Sequence, residues 1–175
     1  MMSFLFDTPL YSDGTIFLTG YGEGDVGDHL QGEDDETARR FGWWPERSTS
    51  QTVTAAFRSW AADWATNGPS RTFAVRDRAG VLLGGCQLQR HGDGRWTVSY
   101  WTGVAHRRRG VATRALRLLL AHADQEGATD VDCHVAEDNI ASRRAAEAAG
   151  FGEPTTAVEP NGQVMVRYRM RRGGR

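Results

Sequence analysis

The sequence predicts a mixed α/β fold: a mostly antiparallel central sheet of about seven strands, flanked by helices. Three observations carry this expectation. Three runs rich in β-branched and aromatic residues follow one another between residues 70 and 104, with turn signals between them. An amphipathic helical run at 110–126 leads straight into another strand-like run, an order that lets the flanking strands lie parallel. Near the C-terminal end, "TTAVEPNGQVMVRYRM" reads as two strands around the turn Pro160-Asn161-Gly162.

Each element has its own local reason. "GTIFLTGY" is a short apolar strand bounded by glycines. Residues 24–47 are polar and broken by glycine, which predicts short helices and loops. In "STSQTVTAAFRSWAADWATNG", Val53, Phe57, Trp60 and Trp64 form a helical stripe. Ser48 to Ser50 offer N-caps, Asn67-Gly68 a stop, and the tryptophans read as core. "RTFAVRD" and "VLLGGCQLQR" flank the hairpin signal Arg78-Ala79-Gly80, and "GRWTVSYWTGV" follows the turn "HGDG". In "GVATRALRLLLAHADQEG", Val111, Ala115, Leu116, Leu119, Leu120 and Ala123 share one helical face, and Gly127 ends the run. "TDVDCHVA" is a strand, and "DNIASRRAAEAAG" a second helix with an Asp/Asn cap and Gly150 as its stop. With no repeat, low-complexity stretch or long linker, residues 1–175 read as a single domain.

Composition excludes several function classes. The net charge is −1, so no chain-wide positive field exists to hold a nucleic acid. All 21 basic residues are arginine, so no lysine can form a Schiff base or complete a P-loop. Two cysteines, Cys86 and Cys133, are too few for a disulfide framework, which points to a reduced, cytoplasmic setting. The N-terminus lacks a basic leader and reaches Asp7 too early for a signal peptide. No 18-residue apolar run is present to cross a membrane. The acidic first forty residues and the basic tail "RYRMRRGGR" read as solvated surface.

The chemistry concentrates where the 95–104 run meets the helix, at Arg107-Arg108-Arg109-Gly110-Val111-Ala112. The first amides of a helix lack intrahelical partners and, with the dipole, form an anion site. Gly110 and Ala112 are small, Thr113 adds a hydroxyl, and Arg114 and Arg117 add positive charge. Such a turn suits a compact, doubly charged group such as a pyrophosphate. No GxxxxGK[ST] occurs, and "GYGEGD" has the wrong spacing for a dinucleotide fingerprint.

Arg107-x-x-Gly110-x-Ala112 resembles the R/Q-x-x-G-x-G/A acetyl-CoA signature of the GNAT superfamily of N-acetyltransferases. Around it, "YWTGVAHRRRGVATRALRLL" and "DVDCHVAEDNIASRRAAEAAGF" are similar to the ribosomal-protein-alanine (Rim-type) branch. That likeness includes Asp138-Asn139-Ile140-Ala141-Ser142 followed by Glu147, Gly150 and Phe151. Thr102-Gly103-Val104 stands where members usually carry Val-Ala-Pro. The resemblance implies an N-acetyltransferase that uses acetyl-CoA as cosubstrate, needs no metal, and works by direct attack of an amine. The cosubstrate would lie in a V-shaped gap where strands 95–104 and 130–136 splay. Backbone amides of 109–113 would cradle its pyrophosphate, making Arg107, Arg109, Gly110, Val111, Ala112 and Thr113 the binding run. Thr102 and Val104 on the strand edge would pair with the pantetheine arm, and Asn139 would bond it from the other side. Ser142 would sit near the sulfur and protonate the leaving thiolate.

The base is open to several residues. Asp132, His134 and Ala136 share one strand face, and Val131, Cys133 and Val135 the other, which argues against a Cys–His dyad or metal site. His134 has a suitable ordinary pKa, and Glu137 at the strand end is a comparable candidate. Tyr100, or an acid of the 33–36 cluster, could serve through water. In the superfamily, the segment after the first strand usually walls the acceptor site. Here it carries Glu33, Asp34, Asp35, Glu36, Trp43 and Trp44. Glu33, Asp35, Trp43 and Trp44, with Tyr100, are the candidate acceptor-binding residues. Acids beside tryptophans suit a cationic or polyamine acceptor. The expected acceptor is an amine on a small metabolite or antibiotic. The alternatives are a protein N-terminus, or a non-catalytic acyl-CoA-binding module. Exposed strand edges leave a homodimer open beside a monomer.

Overall fold

The computed structural model describes residues 8–171; Met1–Asp7 and Arg172–Arg175, with the readings of the N-terminus and the end of the basic tail, lie outside them. In chain order the elements are β1 (Tyr11–Ser12), β2 (Phe17–Thr19), α1 (Asp25–Gly32), α2 (Asp35–Phe41), α3 (Ser50–Thr66), β3 (Ser70–Arg76), β4 (Leu82–Arg90) and β5 (Trp96–Thr102). After a 3-10 turn at Val104–His106 come α4 (Val111–Gln125), β6 (Asp130–Ala136), α5 (Ile140–Ala148), β7 (Thr155–Val158) and β8 (Val164–Arg171). The strands form one sheet in the order β1-β2-β3-β4-β5-β6-β8-β7. Every neighbouring pair is antiparallel except β5 and β6. The mixed, mostly antiparallel architecture is therefore as expected, with one strand more than the sequence suggested. The addition is the two-residue β1, too short for any periodicity to reveal. It is held to β2 by a turn in which Asp13 Oδ1 accepts from the amides of Thr15 and Ile16.

Caps decide where the helices begin. Asp34 and Thr37 form a capping box on α2, and Thr49 and Thr52 form one on α3. The α3 stop is Asn67 at φ 54. The expected apolar face of α4 lies buried on one side of the sheet with Val98, Val131, Cys133, Val166 and Tyr168. On the other side α3 buries Val53 and Phe57 against Tyr21, Ala74 and Leu82. Trp60 and Trp64, expected in the core, sit only half-buried at its rim. Trp64 Nε1 donates to the Thr72 carbonyl at 2.9 Å, and the Arg71 guanidinium lies 5.2 Å from its ring.

One feature of the sheet positions the site. The parallel pairing of β5 and β6 runs only through Trp96–Val131, Thr97–Asp132 and Val98–Cys133. Beyond Val98 the strands part, while β5 stays paired to β4 as far as Thr102 opposite Gly84. The free edge of β5 thus runs from Ser99 to Thr102. Val104, expected on that edge, is not on the strand: β5 ends at Thr102, and Val104 opens the 3-10 turn and is exposed. Gly103 N–H donates to the Leu83 carbonyl at 2.9 Å, which turns the chain off the sheet.

Candidate active site

At the start of α4, Gly110 has φ 74 and no side chain caps the helix. The first intrahelical bond is from Arg114 N–H to the Gly110 carbonyl, 3.1 Å, which leaves the amides of Val111, Ala112 and Thr113 without helical partners. Arg108 is also left-handed, at φ 62, so two of the three residues before α4 depart from helical or extended backbone. A Cβ on Gly110 would meet nothing within 4 Å, so conformation alone, and not crowding, demands glycine there.

The arginines around this turn do different work from that expected. The Arg107 guanidinium is spent on α2: Nη1 and Nη2 donate to the two carboxylate oxygens of Asp34 at 2.7 and 2.9 Å, and Nη2 to Thr37 Oγ1 at 3.1 Å. Its Nε lies 3.4 Å from the Thr102 carbonyl. Within the expected binding run, Arg107 can therefore offer its backbone but not its charge. Arg114 pairs with Asp13 at 2.7 Å, and Arg117 donates to the Ala148 carbonyl at 2.7 Å. Arg109 remains exposed beside the turn.

The Arg107 hydrogen bonds, outweighing burial, hold the Asp34 carboxyl well below the usual carboxylate range, helped by the Thr37 amide. A depressed folded-state pKa contributes stability above the unfolded value, and that stability is lost as pH falls through the folded one. Asp34→Asn keeps the cap but breaks the charged bidentate pair. It is expected to cost about 1 kcal/mol at neutral pH. The variant should melt closer to the parent as the pH approaches strong acid, which thermal melts from pH 7 down to pH 3 will show.

Across the gap, Tyr100 Oη donates to the Ser142 carbonyl at 2.8 Å and joins β5 to α5. Asn139 is the N-cap of α5, its Oδ1 accepting from Ser142 N–H at 3.2 Å. Asn139 and Ser142 thus sit side by side at the gap. The Ser142 side chain is half-buried. Burial pushes the Cys133 thiol up to about 12, and Cys133 Sγ lies 4.0 Å from Tyr100 Oη. Burial also raises the Tyr100 phenol above its ordinary value, so neither group is an anion at neutral pH. With Gly103 N–H spent on Leu83, strand alternation sends the Tyr100 and Thr102 amides to the gap side.

His134 is the residue just after the last β5–β6 pair and is exposed. Desolvation holds it below the ordinary histidine value, against the opposing pull of Asp132. Asp132 is itself bound by Arg169 at 2.7 and 2.9 Å. Glu137 is exposed at the strand end. Neither His134 nor Glu137 lines the cavity described next.

That cavity, about 290 Å³, opens between β5 and the α1–α2 segment. Its wall includes Glu33, Trp43 and Tyr100, as the sequence suggested. Asp35 and Trp44 are elsewhere. Asp35 pairs with Arg47 at 2.8 Å, and Trp44 is exposed with the Arg39 guanidinium 4.3 Å from its ring. Sequence reasoning missed Tyr21, His29, Trp60 and Trp101, which also line it. His29 Nε2 lies 3.0 Å from Oε1 of Glu33, the residue four further on that caps the C-terminal end of α1. That spacing is the one signal that could have found the pair. Burial would raise the Glu33 carboxyl, but hydrogen bonds from His29 and Ser48 outweigh it and hold it below the ordinary value. Among the described residues, no group of three or more His, Cys, Asp or Glu side chains could hold a metal ion, and no helix is long and apolar enough to cross a membrane.

The family model described as "Acetyltransferase (GNAT) domain" matches residues 16–152. No curated protein sequence matches the chain. Solved structures do. RimJ of Mycobacterium smegmatis, in complex with CoA-disulfide, is similar at TM-score 0.72 and 18% identity, over 93% of this chain and 85% of that one. Spermidine N-acetyltransferase of Vibrio cholerae, in complex with CoA and spermine, is similar at TM-score 0.74 and 16% identity, over 91% and 96%. A GNAT-family acetyltransferase of Bacillus anthracis is similar at TM-score 0.77 and 12% identity, over 93% and 98%.

Proposed function

The chain belongs to the GNAT acetyltransferase family, and from that premise we propose that it acetylates the primary amine of a small molecule. Acetyl-CoA supplies the acetyl group as a thioester. The residues present fit it: an uncapped helix start with three unpartnered amides suits the pyrophosphate, and the free edge of β5 at Thr102 suits the amide-bearing pantetheine arm. Asn139 and Ser142 face that edge across the gap, and Ser142 is the proposed proton donor to the leaving sulfur. Gap-side amides of Tyr100 and Thr102 are placed to stabilise the oxyanion.

The observation that carries the small-molecule reading is the cavity. It is about 290 Å³, lined by aromatic residues, and its wall includes the carboxylate of Glu33 at the end of α1. A compartment of that size holds a small amine whole, whereas a peptide needs an open groove. A second reading, acetylation of a protein N-terminus, draws support from the Rim-like run Asp138–Ser142 and from the fold shared with RimJ. Release of CoA thiol across a panel of small primary amines and short peptides decides between them. The expected result is kcat/KM at least about tenfold higher for the best small amine than for any peptide. The reverse ranking overturns the proposal, and no release with any acceptor overturns catalysis itself.

A further inference from the structure

The four acids Glu33, Asp34, Asp35 and Glu36 have been divided by the fold. Asp34 is bound by Arg107, Asp35 by Arg47, and Glu36 by Arg40. Glu33 alone has no arginine partner among the described residues, and of the four acids it alone lines the cavity. Its side chain is only 13% exposed, and that of its partner His29 only 10%. The His29 ring is wedged edge-on among Tyr21, Phe57 and Trp101, which fixes its orientation. His29 Nδ1 is buried without a hydrogen-bond partner, whereas Nε2 faces Glu33. A bare lone pair at Nδ1 costs less than a bare N–H, so the proton sits on Nε2 and is donated to the carboxylate.

His29 and Ser48 donate to the Glu33 carboxylate, but no arginine among the described residues balances its charge in this buried wall. Tyr21, Trp43, Trp60 and Trp101 line the same space, and aromatic rings attract a positive charge placed against them. Both features ask for a cation from outside the chain. Yet an ammonium held by a carboxylate is kept protonated, and a protonated nitrogen has no lone pair with which to attack a thioester. The nitrogen that Glu33 holds is therefore not the one acetylated. Ser99 and Tyr100, at the gap, line the same cavity as Glu33.

We infer that Glu33 is the seat for a second, unreactive nitrogen, so that the acceptor is a diamine docked by its distal ammonium with its other amine at the gap. His29 is the positioning residue that holds the Glu33 carboxylate toward the cavity. The inference rests on the small-amine reading above. In the reaction the free amine forms the C–N bond as the C–S bond breaks; nitrogen loses one proton and sulfur gains one. The distal ammonium is unchanged.

The test compares α,ω-diaminoalkanes with n-alkylamines of matched length by CoA release. The wild-type protein is expected to favour diamines tenfold or more in kcat/KM, chiefly through KM. Glu33→Gln should reduce that preference to about twofold or less, and His29→Phe should reduce it several-fold. His29→Gln, which keeps a donor, should retain more of the preference than His29→Phe. Asp35→Asn, whose carboxylate faces Arg47, should leave it intact. Thermal melts establish that each variant is folded. Equal turnover of diamines and alkylamines by the wild type overturns the inference while leaving the small-amine reading standing. So does a preference that survives Glu33→Gln. Acetylation of peptides with neither amine class turned over overturns both.

Discussion

Gly110→Glu is expected to weaken CoA binding at least about a hundredfold while the protein remains folded. Two penalties combine. Gly110 has φ 74, and an L side chain in the left-handed region costs about 1–2 kcal/mol. The new carboxylate would then stand at the amides proposed to receive the pyrophosphate, where like charges about 4 Å apart repel by about 4 kcal/mol at an effective dielectric near 20. No steric clash enters, because a Cβ there meets nothing within 4 Å. Gly110→Ala separates the two contributions and should lose only about fivefold to tenfold in affinity. Arg108→Ala retains the left-handed backbone and removes only an exposed guanidinium, so CoA affinity should stay within about twofold. Calorimetric titration with CoA measures all three. A severe loss in Arg108→Ala with a mild one in Gly110→Glu would reverse the assignment of this turn.

The second large effect is on stability. Gly84 lies opposite Thr102, at the open end of the free β5 edge, and a Cβ there would collide with the Trp101 carbonyl oxygen and come within 3.0 Å of Thr102 Cα. Both obstacles are backbone, so β4 and β5 must move apart. Gly84→Ala is expected to cost about 3 kcal/mol, the upper range for overpacking, and to lower Tm by roughly 6–12 °C. Because the displaced strand carries the free edge at Thr102, CoA affinity should fall in the same variant. Gly85→Ala is the informative contrast. Its Cβ would press on Tyr21 Oη and Trp101 Nε1, side-chain atoms of the acceptor cavity. Its loss should therefore register in the amine KM more than in CoA binding. Scanning calorimetry with CoA titration on both variants tests the pair, and a Gly84→Ala protein melting within a degree or two of the parent would refute the crowding argument.

Long, strongly patterned elements were readable from composition alone. The α4 stripe from Val111 to Ala123 lies buried as expected, whereas β6 buries Asp132 and Ala136 along with Val131, Cys133 and Val135, so only His134 in its middle is exposed. The uncapped start of α4 was readable too, because amides left free after a glycine are a local property. What escaped depends on tertiary geometry. Periodicity does not report where pairing between β5 and β6 stops, so the gap was visible only through family resemblance. Composition likewise could not divide an acidic cluster. Glu33, Asp34, Asp35 and Glu36 are adjacent in sequence, but successive residues of a turn or helix point about 100° apart. One faces the cavity and three face arginines. The same reason separates Trp43 from Trp44, and hid the His29–Glu33 pair that only folded α1 brings to one face.

The bridge between Arg107 and Asp34 has a consequence for how the two substrates are felt. Arg107 opens the turn proposed to receive the pyrophosphate, while Asp34 caps α2, whose Thr37 lines the cavity proposed for the acceptor. Arg40 at the far end of α2 reaches Asp138 at 2.6 Å, beside the start of α5. The short helix is therefore fastened at one end to the β5 side of the gap and at the other to the β6 side. A ligand that displaces α2 would therefore pull on both attachments at once. Thermodynamic linkage makes any such coupling symmetric: whatever factor an amine applies to CoA affinity, CoA applies to the amine.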